Sequence, residues 1–258
     1  MSLGHQVPVF VNCRDRLSPL RSLLEWLEGA GHTRIYLVDN ASTYPPLLAY
    51  YETTPHTVVR LGENLGHKAI WISGAVKTHA AGEYYVATDP DIVPVPECPP
   101  DAVAHFRRLL DRHPDRDKVG FGLKIDDLPR HYRFAREVRE WEGKFWDCEV
   151  EPGVYDAPID TTFALHRPET EFVASDVLPN HAKSLRTGEP YVARHTSWYV
   201  NSRRPDAEER YYREHARPDV THWNVDQLPA RLVEAMRSEG SASDGQGFMR
   251  RVARRLGR

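Results

Sequence analysis

The chain has 258 residues, 40% hydrophobic and 28% charged, which fits one globular α/β domain with a sizeable core and excludes a disordered or fibrous chain. Its formal charge of −3 argues against a nucleic-acid binder, which would carry a basic face. No run approaches the roughly 18 apolar residues needed to span a bilayer. No signal-peptide pattern precedes the first strand, and three scattered cysteines, Cys13, Cys98 and Cys148, predict reduced thiols in a cytoplasmic protein.

The first third alternates strand and helix patterns. Val7 to Cys13 is a short β-branched run of the kind a buried parallel strand uses. Ser18 offers an N-cap with Pro19 at the first helical position, and Leu20, Leu23, Leu24 and Leu27 follow at helical spacing. Gly29 and Gly31 stand where that helix should stop. Arg34 to Val38 predicts a second strand ending in Asp39-Asn40, Pro46 to Glu52 a short helix, and Thr57 to Leu61 a third strand. Gly66 introduces a helix through about Ala80, and Tyr84 to Thr88 predicts a fourth strand that ends at Asp89. Such alternation predicts βαβ units around a mostly parallel sheet sandwiched by helices.

The middle is less regular. Asp101 to Arg112 predicts a helix with Val103, Phe106, Leu109 and Leu110 inward; Val119 to Ile125 predicts a strand, and Tyr132 to Phe145 an amphipathic helix. Ile159 to Leu165 and Pro190 to His195 are further strand candidates. Residues 1–237 are therefore expected to form one domain, regular over about 7–95 and less regular over about 96–237. Gly, Ser and Asp cluster over 238–247 as a flexible linker. A basic amphipathic helix over 248–258 carries Arg250, Arg251, Arg254, Arg255 and Arg258 and is suited either to solvent or to peripheral contact with an anionic membrane.

In open parallel sheets ligands bind beyond the carboxyl ends of the strands. Three predicted strand ends carry polar residues there: Asn12 and Arg14, Asp39 and Asn40, and Asp89 and Asp91. Two carboxylates separated by Pro90 can share a hard cation, with Mg2+ or Mn2+ keeping open positions for diphosphate oxygens. Asp-Pro-Asp is also good turn chemistry, so the tripeptide by itself leaves both readings open.

The ordered segments VFVNCRDR, LVDNAST, ENLGHKAIWISG and YYVATDPDIVP resemble the donor-binding half of family 2-type GT-A glycosyltransferases. The resemblance implies a GT-A-like α/β fold, a UDP- or GDP-sugar donor, and Mn2+ or Mg2+ held by an Asp-x-Asp motif. It implies that Asn12, Arg14 and Asn40 line the nucleoside pocket, that Asp39 accepts from a base N–H, and that Gly66 and Lys68 approach the nucleotide. Asp89 would touch ribose and metal, and Asp91 would be the direct metal ligand. Enzymes of this fold often supply a further ligand from a later histidine; His195 in YVARHTSWY is the best match, ahead of His166 and His222.

An inverting transferase also needs a carboxylate to deprotonate the acceptor hydroxyl. The family's Glu-Asp dipeptide is absent at the expected place. Asp160 in APIDTTFAL is the substitute, with Glu142 and Glu140 as alternatives. Trp141, Trp146 and Trp198 are candidate sugar platforms on the acceptor side, or core residues. A glycosyltransferase is the expected activity, with inversion favoured and retention left open. A catalytically degenerate nucleotide-binding module is the alternative. A sugar-phosphate nucleotidyltransferase fits less well, because VNCRDRLSPL lacks the glycine-rich loop such an enzyme needs.

Overall fold

A computed structural model describes residues 6–168 and 183–215, all within the compact unit Met1–His215. The expected linker over 238–247, the basic helix over 248–258 with its membrane contact, and His222 lie outside the described residues. In chain order the elements are β1 (Val9–Cys13), α1 (Ser18–Gly29), β2 (Ile35–Asp39), α2 (Pro45–Tyr51), β3 (Thr57–Arg60), α3 (Ala69–Ile72), α4 (Ala75–His79), β4 (Tyr85–Thr88) and β5 (Ile92–Pro94). They continue with α5 (Ala102–Arg112), β6 (Lys118–Leu123), α6 (Ala135–Gly143), β7 (Glu149–Glu151), β8 (Val154–Asp156), β9 (Ala164–His166), β10 (Ser184–His195) and α7 (Ala207–His215).

One sheet runs in the order β3-β2-β1-β4-β9-β6-β10-β8-β7, with β5 paired to β10. Strands β3, β2, β1 and β4 are mutually parallel, so VFVNC of β1 is buried throughout between two neighbours and under helices on both faces. Beyond β4 the sheet is mixed. β9 enters antiparallel between β4 and β6, whereas β6 and β10 are parallel.

Two aromatic clusters fix the helices to the sheet. Phe10 stacks on Tyr36 at 5.0 Å and meets Tyr85 edge-on, with Ile70 and Ala75 packed against them. Phe106, Phe121 and Phe163 form the second cluster with Trp26 of α1. Edge-to-face contacts of this kind add to the area they bury.

Several boundaries differ from the sequence reading, each for a tertiary reason. The helix expected from Gly66 to Ala80 is a 3-10 turn and two short helices, because Gly74 takes a left-handed φ of 76°. The helix expected to start at Tyr132 starts at Ala135, after a turn in which Tyr132 N–H donates to the Pro129 carbonyl and Arg133 N–H to Ser202 Oγ. The strand expected over Ile159 to Leu165 is confined to Ala164–His166, which leaves Asp160 on a loop. The strand expected at Pro190 is the end of a 12-residue strand whose register shifts between Thr187 and Val192. The Thr187 hydroxyl bridges that shift by donating to the Tyr191 and Gly120 carbonyls.

Candidate active site at the strand ends

The loops after β1, β2 and β3 are tied together by side chains bonding to backbone. Asn40 accepts from Leu65 N–H at 2.7 Å and donates to the Gly66 carbonyl at 2.9 Å, so one amide clamps the 65–66 loop. Asn12 donates to the Gly66 and His67 carbonyls, both at 3.4 Å, and its Oδ1 is buried without a partner. Arg14 donates to the Asn40 and Ala41 carbonyls at 2.8 Å. Asp15 accepts from Thr43 and Tyr44 N–H groups at 2.6 and 2.8 Å. Asp15 and Ala41 both hold positive φ, 49° and 56°. Strain at two neighbouring non-glycine residues marks these loops as over-determined, a common property of ligand sites.

Asp39 is buried at the end of β2, where its Oδ1 accepts from Ser42 N–H at 3.1 Å and from the Tyr51 hydroxyl at 3.3 Å. It is thus also the turn carboxylate of its own loop. Lys68 is half-buried at the end of the 3-10 turn that follows Gly66.

Asp89-Pro90-Asp91 links β4 to β5. The pairing of β5 sets Ile92 opposite His195, and Thr196 N–H donates to the Asp91 carbonyl at 2.8 Å, which brings residues 104 apart side by side. Asp91 Oδ2 lies 3.1 Å from His195 Nε2 and accepts from the Ser197 hydroxyl. Burial alone would raise the Asp91 carboxyl, but His195, Arg16 and Ser197 together hold it well below the usual carboxylate range. His195 moves the other way: burial would lower it, and Asp91 raises it. Burial and the Asp91 charge push the Asp89 carboxyl up to about 8, against a hydrogen bond from the Thr161 hydroxyl.

Two carboxylates that repel one another, beside an imidazole in contact with one of them, form an O/O/N donor set that a divalent cation neutralises. Among the described residues, no group of three or more His, Cys, Asp and Glu forms a ready-made metal cage. Mg2+ typically takes one or two carboxylates and completes its shell with water and phosphate oxygens.

Other expected residues fall in different places. Asp160 is exposed at the rim, near enough to Asp89 and His67 to act on both electrostatically. Glu142 is buried in an ion pair with Arg186 at 2.6 Å, and exposed Glu140 lies 3.8 Å from Arg136. Trp198 is 1% exposed and meets His195 edge-on, so it packs the imidazole instead of offering a face to a sugar. Trp146 covers Gly122, where an added Cβ would come 2.7 Å from its ring, and meets Tyr155 edge-on. Trp141 is half-buried, with Lys144 Nζ 3.5 Å above its ring. His166 pairs with Tyr85 at the opposite end of β4 from Asp89, which separates it from the site.

Arg16, Ser197 and Thr161 were not singled out by sequence. Arg16 is buried against Glu209 at 2.9 Å, under the Tyr212 ring, and its charge reaches Asp91. Its position two residues past Arg14 was the available signal. For Ser197 and Thr161 there was none, because each meets its aspartate only through strand pairing or loop packing.

No family model matches the chain, and no curated protein matches it by sequence. Solved structures do. A mannosyltransferase from Pyrobaculum calidifontis, in complex with GDP-Man and Mn2+, aligns at a TM-score of 0.50 and 16% identity over 91% of this chain and 68% of that one. Glucosyl-3-phosphoglycerate synthase from Mycobacterium tuberculosis, in complex with phosphoglyceric acid, gives 0.41 and 16% over 65% and 58%. HddC from Yersinia pseudotuberculosis, complexed with GMP-PN, gives 0.40 and 16% over 68% and 84%. Among the described residues no helix is long and apolar enough to cross a membrane. The parallel β3-β2-β1-β4 half, the antiparallel β9 insertion and the mannosyltransferase alignment together show that this chain has a GT-A-like α/β fold.

Proposed function

We propose that the protein is a metal-dependent glycosyltransferase that moves a sugar from a UDP- or GDP-sugar to a hydroxyl acceptor. The observation that carries this reading is the meeting of Asp91 with His195 and Ser197 beside Asp89, at the carboxyl ends of parallel strands. Asp39 takes a base N–H, while Asn12, Arg14 and Asn40 act by fixing the loops that form the nucleoside pocket around Gly66. Lys68 pairs with the diphosphate. Asp89, Asp91 and His195 are the residues that would hold the cation. Bound Mn2+ or Mg2+ supplies Lewis-acid stabilisation of charge on the leaving diphosphate.

Asp160 takes the proton from the acceptor hydroxyl as that oxygen bonds to the anomeric carbon and the diphosphate departs, which gives inversion. Its support over Glu142 and Glu140 is positional: it is exposed beside Asp89, whereas Glu142 is engaged with Arg186 and Glu140 sits on an exposed helix face.

Thermal unfolding with UDP or GDP, with and without Mn2+, tests the donor site. A ligand that binds only the native state at about 100 times its Kd adds about 2.7 kcal/mol. Asp91→Ala is expected to lose the Mn2+-dependent part of the shift; an undiminished shift removes the metal assignment. The second reading is a nucleotide-binding module without turnover. Mn2+-dependent donor hydrolysis supports the transferase, and tight nucleotide binding with no turnover supports the module.

A further inference from the structure

Two arginine-bearing segments meet beside the turn that carries Ser197. Residues 124–134 leave the end of β6, and residues 199–204 leave the turn whose Ser197 holds Asp91. Arg133 N–H donates to Ser202 Oγ at 3.0 Å, and the Tyr199 hydroxyl donates to the Lys124 carbonyl at 3.2 Å and to Asp127, so the segments are joined at both ends. Arg203 follows Ser197 by six residues and so lies within ~20 Å of it even if fully extended.

The acids around these segments are already engaged. Asp126 pairs with Lys124 at 3.1 Å, Asp127 with Arg194 at 2.6 Å, and Glu137 with Arg136 at 3.2 Å. Asp206 accepts from Glu209 N–H at 2.7 Å. Arg130, Arg203 and Arg204 are exposed, and their side chains have no hydrogen bond or ion pair among the described residues. In a chain of net charge −3 they are a local excess of positive charge, not a sample of a basic surface.

We propose that Arg130, Arg203 and Arg204 form an oxyanion site that takes a phosphate group of the acceptor. Guanidinium forks bind phosphate oxygens bidentately, and a dianion offsets several cations better than a neutral hydroxyl or a single carboxylate does. The assignment of this phosphate to the acceptor rests on the glycosyltransferase reading; the oxyanion site itself does not.

Calorimetric titration of the full chain with glucose 6-phosphate, glucuronate and glucose, at about 50 mM salt to limit screening, tests it with and without nucleoside diphosphate and Mn2+. The parent is expected to bind glucose 6-phosphate about tenfold tighter than glucose, with glucuronate between them. An Arg130→Ala/Arg203→Ala/Arg204→Ala protein is expected to lose that preference while keeping the parent's nucleotide-dependent rise in Tm. Equal affinity for the three probes in the parent, or an unchanged preference in the triple variant, overturns the proposal. A variant that loses nucleotide binding as well places these arginines in the donor site and overturns the acceptor assignment. Arginine-dependent phosphate preference in a protein that binds no nucleotide supports the oxyanion site and removes the donor reading instead.

Discussion

The two halves of the sheet secure their interiors by different means. On the β3-β2-β1-β4 side, the loops are held by short contacts between side chains and backbone, led by Asn40, Asn12 and Asp15. On the β9-β6-β10-β8 side, charges are buried: Glu142 with Arg186, and Lys118, whose ammonium donates to the Ile159 carbonyl at 2.7 Å. Contacts to backbone fix loop shape at little desolvation cost. Buried ions do so at a cost that each partner must offset, so that half depends on its charges being complete. The Asn40 and Asn12 contacts are made by uncharged amides, whereas Glu142, Arg186 and Lys118 are ionisable.

The largest expected effect breaks the charged half. Glu142→Ala leaves Arg186 buried without its carboxylate and is expected to cost about 3–5 kcal/mol in denaturant unfolding. Glu142→Met/Arg186→Met removes both charges and should cost much less. Equal losses in the single and double variants would show that packing, and not charge, holds this region.

Lys118 sharpens the contrast through pH. Burial pushes its pKa down to about 8, partly offset by Asp160, against about 10.4 in the unfolded chain. Between those values the unfolded chain binds more protons, so this group's contribution to stability rises from pH 8 to 10 and is lost as pH falls through 8. Buried tyrosines and cysteines pull the opposite way over the same range, so the informative quantity is the difference between parent and Lys118→Met. That difference should grow in the parent's favour by on the order of 2 kcal/mol from pH 8 to 10. A flat difference would mean that the lysine titrates normally.

The smallest effect lies in the β3-β2-β1-β4 half. Asn40→Ala removes the acceptor for Leu65 N–H and the donor to Gly66, and should cost about 1–2 kcal/mol at any pH from 6 to 9. It should also weaken binding of UDP or GDP, read by thermal shift. An unchanged nucleotide shift would separate the 65–66 loop from the nucleoside pocket.

Much of the parallel half was legible because its signals are local. Each strand there is a short apolar run, and each helix face repeats within a few residues, so Leu20, Leu23, Leu24 and Leu27 were identified as core and are buried. Ser18 shows the limit. Its hydroxyl does not cap α1; the helix start is served by Glu208, which accepts from Leu17 and Ser18 N–H groups at 3.1 and 3.0 Å across 191 and 190 residues. Pro190 shows a similar limit: the strand expected to begin there belongs to a longer one, β10, whose pairing to β6 is interrupted between Thr187 and Val192.

Sequence alone determined the first four strands in chain order, the first two helices between them and the placement of Asp89-Pro90-Asp91 at a strand end, because hydrophobic period and turn chemistry act over a few residues. Tertiary structure alone decided that β9 runs antiparallel, that Glu142 is spent on Arg186, and that Asp91 meets His195 and Ser197. Those contacts join segments tens to more than a hundred residues apart. Nothing in the local pattern encodes them; they follow from which strands bury one another.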